Sequence, residues 1–388
     1  MLKLRGTRLF AAALLLTLAG FLRISWNYDF EGIYLLKGEN GRTLVLSDSL
    51  YLGEEDRLIA GFDLPGANPM EHHYLSGKTQ LELQWNKADG RGMIRNRLAD
   101  GTMLVTNFSR YLDSNGAHTH GLFIGGAETA KLHPKNLDGS GMSWFDGQSW
   151  NHIWCNTNEG IGSTVSTQSY APSAWQYLGS SIDVETDERI VLSSYHEVTI
   201  DNVPLRITRT VEVVAGQPAI RLKMRIVNLG GEPGRYFYYY GDEPWLGEFG
   251  SSRGDIGWVD GRLVDFETLV DPKAVTTMGM IDYGNDAIGE PHNFRNVANF
   301  IHWSPATRPD IAFFANQYQG FARQPEVRFP LMGNARSLGM YWGPETLLPG
   351  GGQVIELDLG MAGIAEIKGL PVPVVHTAKL TPQPSRRG

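Results

Sequence analysis

The chain has 388 residues, 42% hydrophobic and 20% charged, with a formal net charge of −8. That is an ordinary globular composition, and without a basic stripe it argues against a nucleic-acid partner. The single cysteine, Cys155, excludes an intrachain disulfide and a thiolate metal cluster.

In chain order, Lys3, Arg5 and Arg8 precede the apolar run Leu9–Leu22, and Thr17-Leu18-Ala19 supplies the small residues of a cleavage site. Residues 1–22 therefore read as a secretory signal peptide, or as an uncleaved signal anchor at the inner membrane. Either places the body in the bacterial periplasm or envelope. A large core does without disulfides there. One domain is expected over residues 23–366, followed by a Pro-rich extended or disordered tail over 367–388.

Gly32–Leu36, Arg42–Leu46 and Tyr74–Trp85 read as strands. Met93–Leu98 and Thr102–Tyr111 read as a hairpin across the Asp100-Gly101 turn. His118–Ser181 is rich in Gly, Ser, Asn, Trp and His without clear periodicity, and is expected to form long loops between short strands. From Ile190 the pattern becomes regular. Ile220, Leu222, Met224 and Ile226 alternate with Arg221, Lys223 and Arg225, which gives one apolar and one charged face. Leu205, Ile207, Val211 and Val213 repeat it, with Arg209 breaking the apolar face. Turn residues at 201–204, 215–218 and 230–234 separate the runs, so Ile190–Trp245 is a meander of antiparallel strands. Asp271–Asn299 reads as loop-rich, and Ile311–Ala315, Leu338–Trp342 and Gln353–Leu359 as closing strands. The fold class is all-β, a large antiparallel β-sandwich with long loops and no long amphipathic helix.

Four constellations could carry chemistry. His118 and His120, two apart, project to one side of a strand; they suit sugar contact, proton transfer or a metal, or are plain loop residues. Met142–Trp154 alternates Trp144, Trp150 and Trp154 with amide, acid and imidazole groups, including His152. Sugar rings stack on such rings while their hydroxyls bond the polar groups; equally, the tryptophans could pin a loop to the core. Asp242 and Glu243 follow an aromatic strand ending in Tyr240 and precede Trp245. Neighbouring carboxylates push one another's pKa values apart, which suits one acid and one base, although adjacent strand residues face opposite ways. Glu345 follows the aromatic Tyr341-Trp342 and precedes a Pro-Gly turn. No phosphate loop, nucleophile elbow or zinc-protease signature is present.

Over roughly Tyr74 to Gly363 the chain resembles the galactose mutarotase-like superfamily, whose β-supersandwich serves aldose epimerases, glycoside hydrolase and lyase domains, and non-catalytic sugar binders. Asn115–Gly121, the strand–Asn228–Gly230–strand stretch up to Asp242, and Trp342–Gly350 carry the resemblance. It implies His120 at a sugar-contacting histidine and Glu345 near the family's base. Where epimerases have a His-Pro-Tyr-Phe-like motif, this chain has Gly241-Asp242-Glu243-Pro244-Trp245. The expectation is a carbohydrate-active enzyme of the glycoside hydrolase or lyase type, or a non-catalytic glycan binder or epimerase-like protein. The catalytic candidates are Asp242, Glu243, Glu345 and His120. Expected substrate contacts are His118, Trp144, Trp150, His152, Trp154, Tyr240, Trp245 and Trp342. The expected partner is a poly- or oligosaccharide, with no metal or cofactor assigned.

Overall fold

The computed structural model describes residues 33–37, 43–47, 71–73, 80–86, 91–109, 123–124, 142–145, 150–154, 157–246, 252–284, 297–316, 329–332, 336–367 and 370–375. The chain divides into two units, 1–67 and 68–388. In the first, β1 (Ile33–Lys37) and β2 (Thr43–Ser47) form an antiparallel hairpin.

Among the described residues, the second unit is built from three antiparallel sheets. Seven strands form one: β3 (Glu71–His73), β4 (Leu81–Asn86), β5 (Arg91–Arg97), β6 (Met103–Ser109), β7 (Phe123–Ile124), β8 (Met142–Phe145) and β9 (Trp150–Trp154). Six form the next: β10 (Thr157–Ser163), β11 (Ser169–Tyr170), β16 (Gly234–Asp242), β19 (Thr268–Val270), β22 (Ile311–Ala315) and β23 (Ser337–Leu347). The largest holds β12 (Gln176–Glu185), β13 (Arg189–Ile200), β14 (Val203–Val214), β15 (Ala219–Asn228), β17 (Asp255–Val259), β18 (Arg262–Val264), β20 (Thr277–Asp282), β21 (Ala298–Trp303), β24 (Gly352–Ile367) and β25 (Leu370–Val374). The class is therefore all-β, as the alternation predicts.

The meander pairs in the predicted order, β13 to β14 to β15, and β15 then pairs with β24. Asp201 and Asn202, with φ of 47° and 67°, close a two-residue hairpin whose left-handed turn matches strand twist. The face bearing Leu192, Leu205, Ile207, Leu222, Met224 and Leu357 is buried. Its opposite face carries ion pairs across the strands, Arg206–Glu197, Arg189–Glu212, Arg221–Asp358 and Lys223–Glu356. Exposed pairs like these contribute little each and mainly fix register and solubility.

The buried face serves both smaller sheets, since one apolar cluster takes in Leu83, Trp85 and Ile153 as well as Tyr236, Tyr238, Leu338 and Trp342. Buried asparagines clamp the layers. Asn96 donates to Val214 O and Gln217 O, both 2.9 Å, and accepts from Gly216 N–H at 2.8 Å. Asn299 donates to Ile153 O at 3.0 Å and accepts from Met280 N–H at 2.7 Å. Asn228 donates to Glu232 O and Leu347 O, and so holds the β15–β16 turn against the end of β23. Each satisfies backbone groups that burial would otherwise leave costly.

Three stretches carry more strand than expected. His118–Ser181, expected as long loops between short strands, holds β7 to β11 and the start of the ten-residue β12. Asp271–Asn299 contains β20. The Pro-rich tail begins as β25, paired with β24. Sequence Thr157–Ser163 hides its strand because Gly160 and Gly162 stand where one face would show side chains.

Candidate functional site

The six-stranded sheet has two unlike faces. Ile161, Tyr236, Tyr238, Tyr240, Leu338, Met340, Trp342, Ala312 and Phe314 point into the sandwich core. The alternate residues, Phe237, Tyr239, Tyr341, Phe313, Ile311 and Leu269, lie on the outer face, where Phe237 and Phe313 are nonetheless buried. Here glycine decides the geometry. Gly160 is paired with Tyr239, Gly162 with Phe237 and Gly339 with Phe313. A Cβ on Gly160 would come within 2.4 Å of the Tyr239 ring, on Gly162 within 2.2 Å of the Phe237 ring, and on Gly339 within 2.4 Å of the Phe313 ring. The rings therefore lean over the backbone of the neighbouring strand. Phe237 lies 5.4 Å from Tyr341 and 6.4 Å from Tyr239, at tilts of 33° and 36°. Tyr239 and Tyr341, paired in register, are half-buried, and Ile311, paired with Tyr341, is exposed.

Asp310 borders this face, while Glu345 is the register partner of inward-pointing Tyr236. Asp310 immediately precedes β22; its N–H donates to Tyr341 O at 2.8 Å, and its Oδ2 accepts from Gly343 N–H at 2.7 Å. Gly343 has φ of 118°, a conformation that L side chains rarely adopt. Glu345 is half-buried, and burial first, then the charge of Asp310, pushes its carboxyl above the usual range. The Tyr341 phenol is likewise raised by burial and by Asp310, with exposed Arg235 opposing. The Asp310 charge thus bears on both the Glu345 carboxyl and the Tyr341 phenol.

Of the expected residues, Asp242 is fully buried at the far end of β16. It pairs in register with Leu338, whereas Glu345 pairs with Tyr236, six residues along the strand. At about 3.3 Å per residue this separates them by roughly 20 Å, too far for a carboxyl pair on one glycosidic bond. Glu243 is half-exposed in a different corner, where the chain leaves the six-stranded sheet for β17. There Ser252 Oγ donates to Glu243 Oε1 at 3.2 Å and accepts from Arg336 N–H at 2.6 Å. Asp255 accepts from Leu246 N–H at 3.1 Å on Oδ2. Full burial, then the neighbouring Asp282, push its carboxyl well up, with Glu243 adding to the rise and Arg336 opposing it. Trp245 is half-buried in this corner with φ of 50°, an unusual conformation for a bulky residue.

Three expected sugar platforms are core instead. Trp154 is buried and its indole N–H donates to Gly360 O at 3.1 Å, tying β9 to β24. Trp342 is buried against Tyr238, and its indole N–H donates to Thr307 O at 2.9 Å. Tyr240 is buried on the inner face. Their apolar bodies repay burial and the indoles find carbonyls. Trp144, Trp150 and His152 lie on β8 and β9, but their side chains fall outside the described residues, as do His118 and His120 altogether. Among the described residues no group of three or more His, Cys, Asp or Glu is placed to hold a metal ion. Sequence reasoning missed Asp310, Tyr239 and the ring-over-glycine pairing; the only signal was glycine recurring opposite aromatic strands.

Arg209, which breaks the apolar face of β14, is explained by an inter-sheet ion pair. Its Nη2 donates to Glu159 Oε2 of β10 with both side chains buried, and its guanidinium lies 4.5 Å over the Trp175 ring. Tyr238 OH donates to Glu159 Oε1 at 3.1 Å. His196, bonded to Ser194 Oγ at 2.8 Å, is held neutral by burial and by Arg209.

No protein-family model matches the chain, and no curated protein does. Solved structures do. A galactose mutarotase-like protein from Clostridium acetobutylicum is 8% identical, with 76% of this chain and 98% of that one covered at a TM-score of 0.37. An aldose epimerase homologue from C. elegans is 9% identical over 76% and 99%, with a TM-score of 0.36. A GH36 α-galactosidase from Geobacillus stearothermophilus is 11% identical over 70% of this chain but only 40% of its own, with a TM-score of 0.34. The solved structures to which this chain is similar thus include galactose mutarotase-like and aldose epimerase-like proteins.

Proposed function

We propose that the protein is carbohydrate-active and takes a poly- or oligosaccharide on the outer face of its six-stranded sheet, as a glycoside hydrolase or lyase of the bacterial envelope. The observation that carries this reading is the pair of half-buried phenols, Tyr239 and Tyr341, side by side on the outer face with the Asp310 backbone bonded to Tyr341. The half-buried Tyr239 and Tyr341 rings would offer apolar faces to the C–H groups of a pyranose, and their hydroxyls would accept its O–H donors. Glu345, whose carboxyl burial and then the Asp310 charge raise above the usual range, is the candidate general acid of this reading. The basic residues followed by an apolar run in residues 1–22, read as a signal peptide or signal anchor, support the envelope part of this reading.

A second reading, glycan binding without turnover, is favoured by one observation: Asp242 is sealed in the interior and Glu243 sits in a separate corner, so the acids of that motif do not reach the ring face. Product detection separates the two. The full chain would be incubated with a panel of polysaccharides and new oligosaccharides sought by mass spectrometry, with Glu345→Gln and Asp310→Asn alongside. Products lost in either variant support the enzyme. Saturable binding without products leaves the binder, and neither outcome on any glycan refutes both.

A further inference from the structure

We infer that Arg95 anchors a separate ligand site, for a carboxylate, on the outer face of the seven-stranded sheet. Its neighbours on β5 fix the way it points. Ile94 belongs to the apolar cluster between the sheets, and Asn96 clamps the large sheet through Val214 O and Gln217 O. Strand alternation therefore turns Arg95 to the opposite face. Yet it is only 6% exposed. Its Nη1 donates to Glu82 Oε2 at 3.2 Å, and the Glu82 side chain is itself 36% exposed. Among the described residues, Arg95 Nε and Nη2 have no hydrogen-bond partner. Buried donors are ordinarily satisfied, above all on a charged group, because solvation by water has been given up. Two other buried arginines are held from within the protein. Arg209 pairs with Glu159 and covers the Trp175 ring, and Arg336 donates Nη1 to Asp255 O at 3.1 Å.

The two unpaired donors share one edge of the guanidinium. Nε–H and Nη2–H run parallel there and form the side-on fork that matches the two oxygens of a carboxylate. Glu82 engages Nη1, on the other side of the group, and leaves that fork clear. Register sets what stands alongside. Glu82, Arg95, Val105, Ser143 and His152 are consecutive partners across β4, β5, β6, β8 and β9. Val105 is fully buried, so Arg95 has an apolar neighbour on the next strand, and a charge pair formed beside it is screened less than one in open water. At about 4.8 Å per strand, the Ser143 position lies roughly 10 Å from Arg95 along this row and the His152 position roughly 14 Å. A carboxylate held at Arg95 leaves its carrier room to extend along the row towards them. The chemistry recognised is the carboxylate, whether a uronate unit of a glycan or a small organic acid carries it. The site does not depend on the ring face of the six-stranded sheet.

The test is urea unfolding of the full chain at neutral pH with sodium galacturonate, sodium digalacturonate, galactose, sodium lactate or sodium sulfate, at matched ionic strength. It would be run on the parent, Arg95→Met, Arg95→Lys and Glu82→Gln. The expected result is a saturable rise in the parent's midpoint with galacturonate and digalacturonate and none with galactose. A rise with lactate too shows that a carboxylate suffices; a rise with the uronates alone assigns a sugar acid. Both support the site. Arg95→Met removes a buried charge, so without ligand it should unfold at the same or higher urea than the parent, and it should lose the response. Arg95→Lys keeps the charge without the fork and should lose at least about tenfold in affinity. Glu82→Gln removes the carboxylate competing for the guanidinium and should tighten galacturonate binding about two- to fivefold. A parent that responds to none of the carboxylates, or a response unchanged in Arg95→Lys, overturns the site. Sulfate acting as strongly as galacturonate overturns the carboxylate class. Arg95→Met unfolding well below the parent without ligand marks a structural cation and overturns the inference. None of these failures touches the reading of the six-stranded sheet.

Discussion

Arg209→Met should be among the most damaging single substitutions in the protein. The change strands the Glu159 carboxylate, 3% exposed, between two sheets with Tyr238 OH at 3.1 Å as its remaining donor. Breaking one side of a buried pair costs about 3–5 kcal/mol. Loss of the guanidinium over Trp175 adds about 0.5–2 kcal/mol. The expected total is therefore roughly 4–6 kcal/mol. Glu159→Gln keeps an acceptor for the guanidinium and should cost less, about 2–3 kcal/mol. In the double variant no buried charge is left unmatched, so its cost should fall short of the summed singles by at least ~2 kcal/mol. Urea unfolding of the full chain, followed by near-ultraviolet circular dichroism and tryptophan fluorescence, measures all four corners of the cycle. The reasoning fails if Arg209→Met costs under ~1 kcal/mol, or if the singles add in the double variant to within ~0.5 kcal/mol.

Two further outcomes are expected. Asp255 has its folded-state pKa raised above the ordinary 3.8, so the native state holds the proton more tightly; the stability this contributes is complete below 3.8 and is lost as pH rises through the folded value. Asp255→Asn should therefore unfold at the same or higher urea than the parent at neutral pH and show a flatter pH profile, and a lower midpoint than the parent at neutral pH would count against the buried-acid account. Gly160→Ala places a methyl 2.4 Å from the Tyr239 ring, so the ring must swing away. A cost of about 1–3 kcal/mol, with weakened glycan binding, is expected; unchanged midpoint and binding would show that the ring is not seated as described.

Period-two alternation in Ile190–Leu229 is enough to dictate the long antiparallel strands, because any other conformation would expose Leu205, Leu222 and Met224 and bury Arg221 and Lys223. Its turns were legible for the same kind of local reason: Asp201-Asn202 accept the left-handed dihedrals that a two-residue hairpin needs. The aromatic strand before Asp242 and the acid at Glu345 were legible as chemistry. Their spatial relation was not. Whether Asp242 meets Glu345 depends on the register of β16 on β23, a long-range pairing that sets them six residues apart along the strand. Trp154 and Trp342 looked like platforms because a tryptophan's sequence neighbours do not reveal which carbonyl its indole will reach; Gly360 and Thr307 lie far away in the chain or on another element. Arg209 looked like a flaw in an apolar face until the other sheet brought Glu159 to it. The sequence by itself determined the strand class, the main turns and the stock of aromatic and acidic groups, all of which follow from local sterics and periodicity. Only the tertiary structure decided which rings found glycine beneath them and which acid bordered them, because both depend on cross-strand partners distant along the chain.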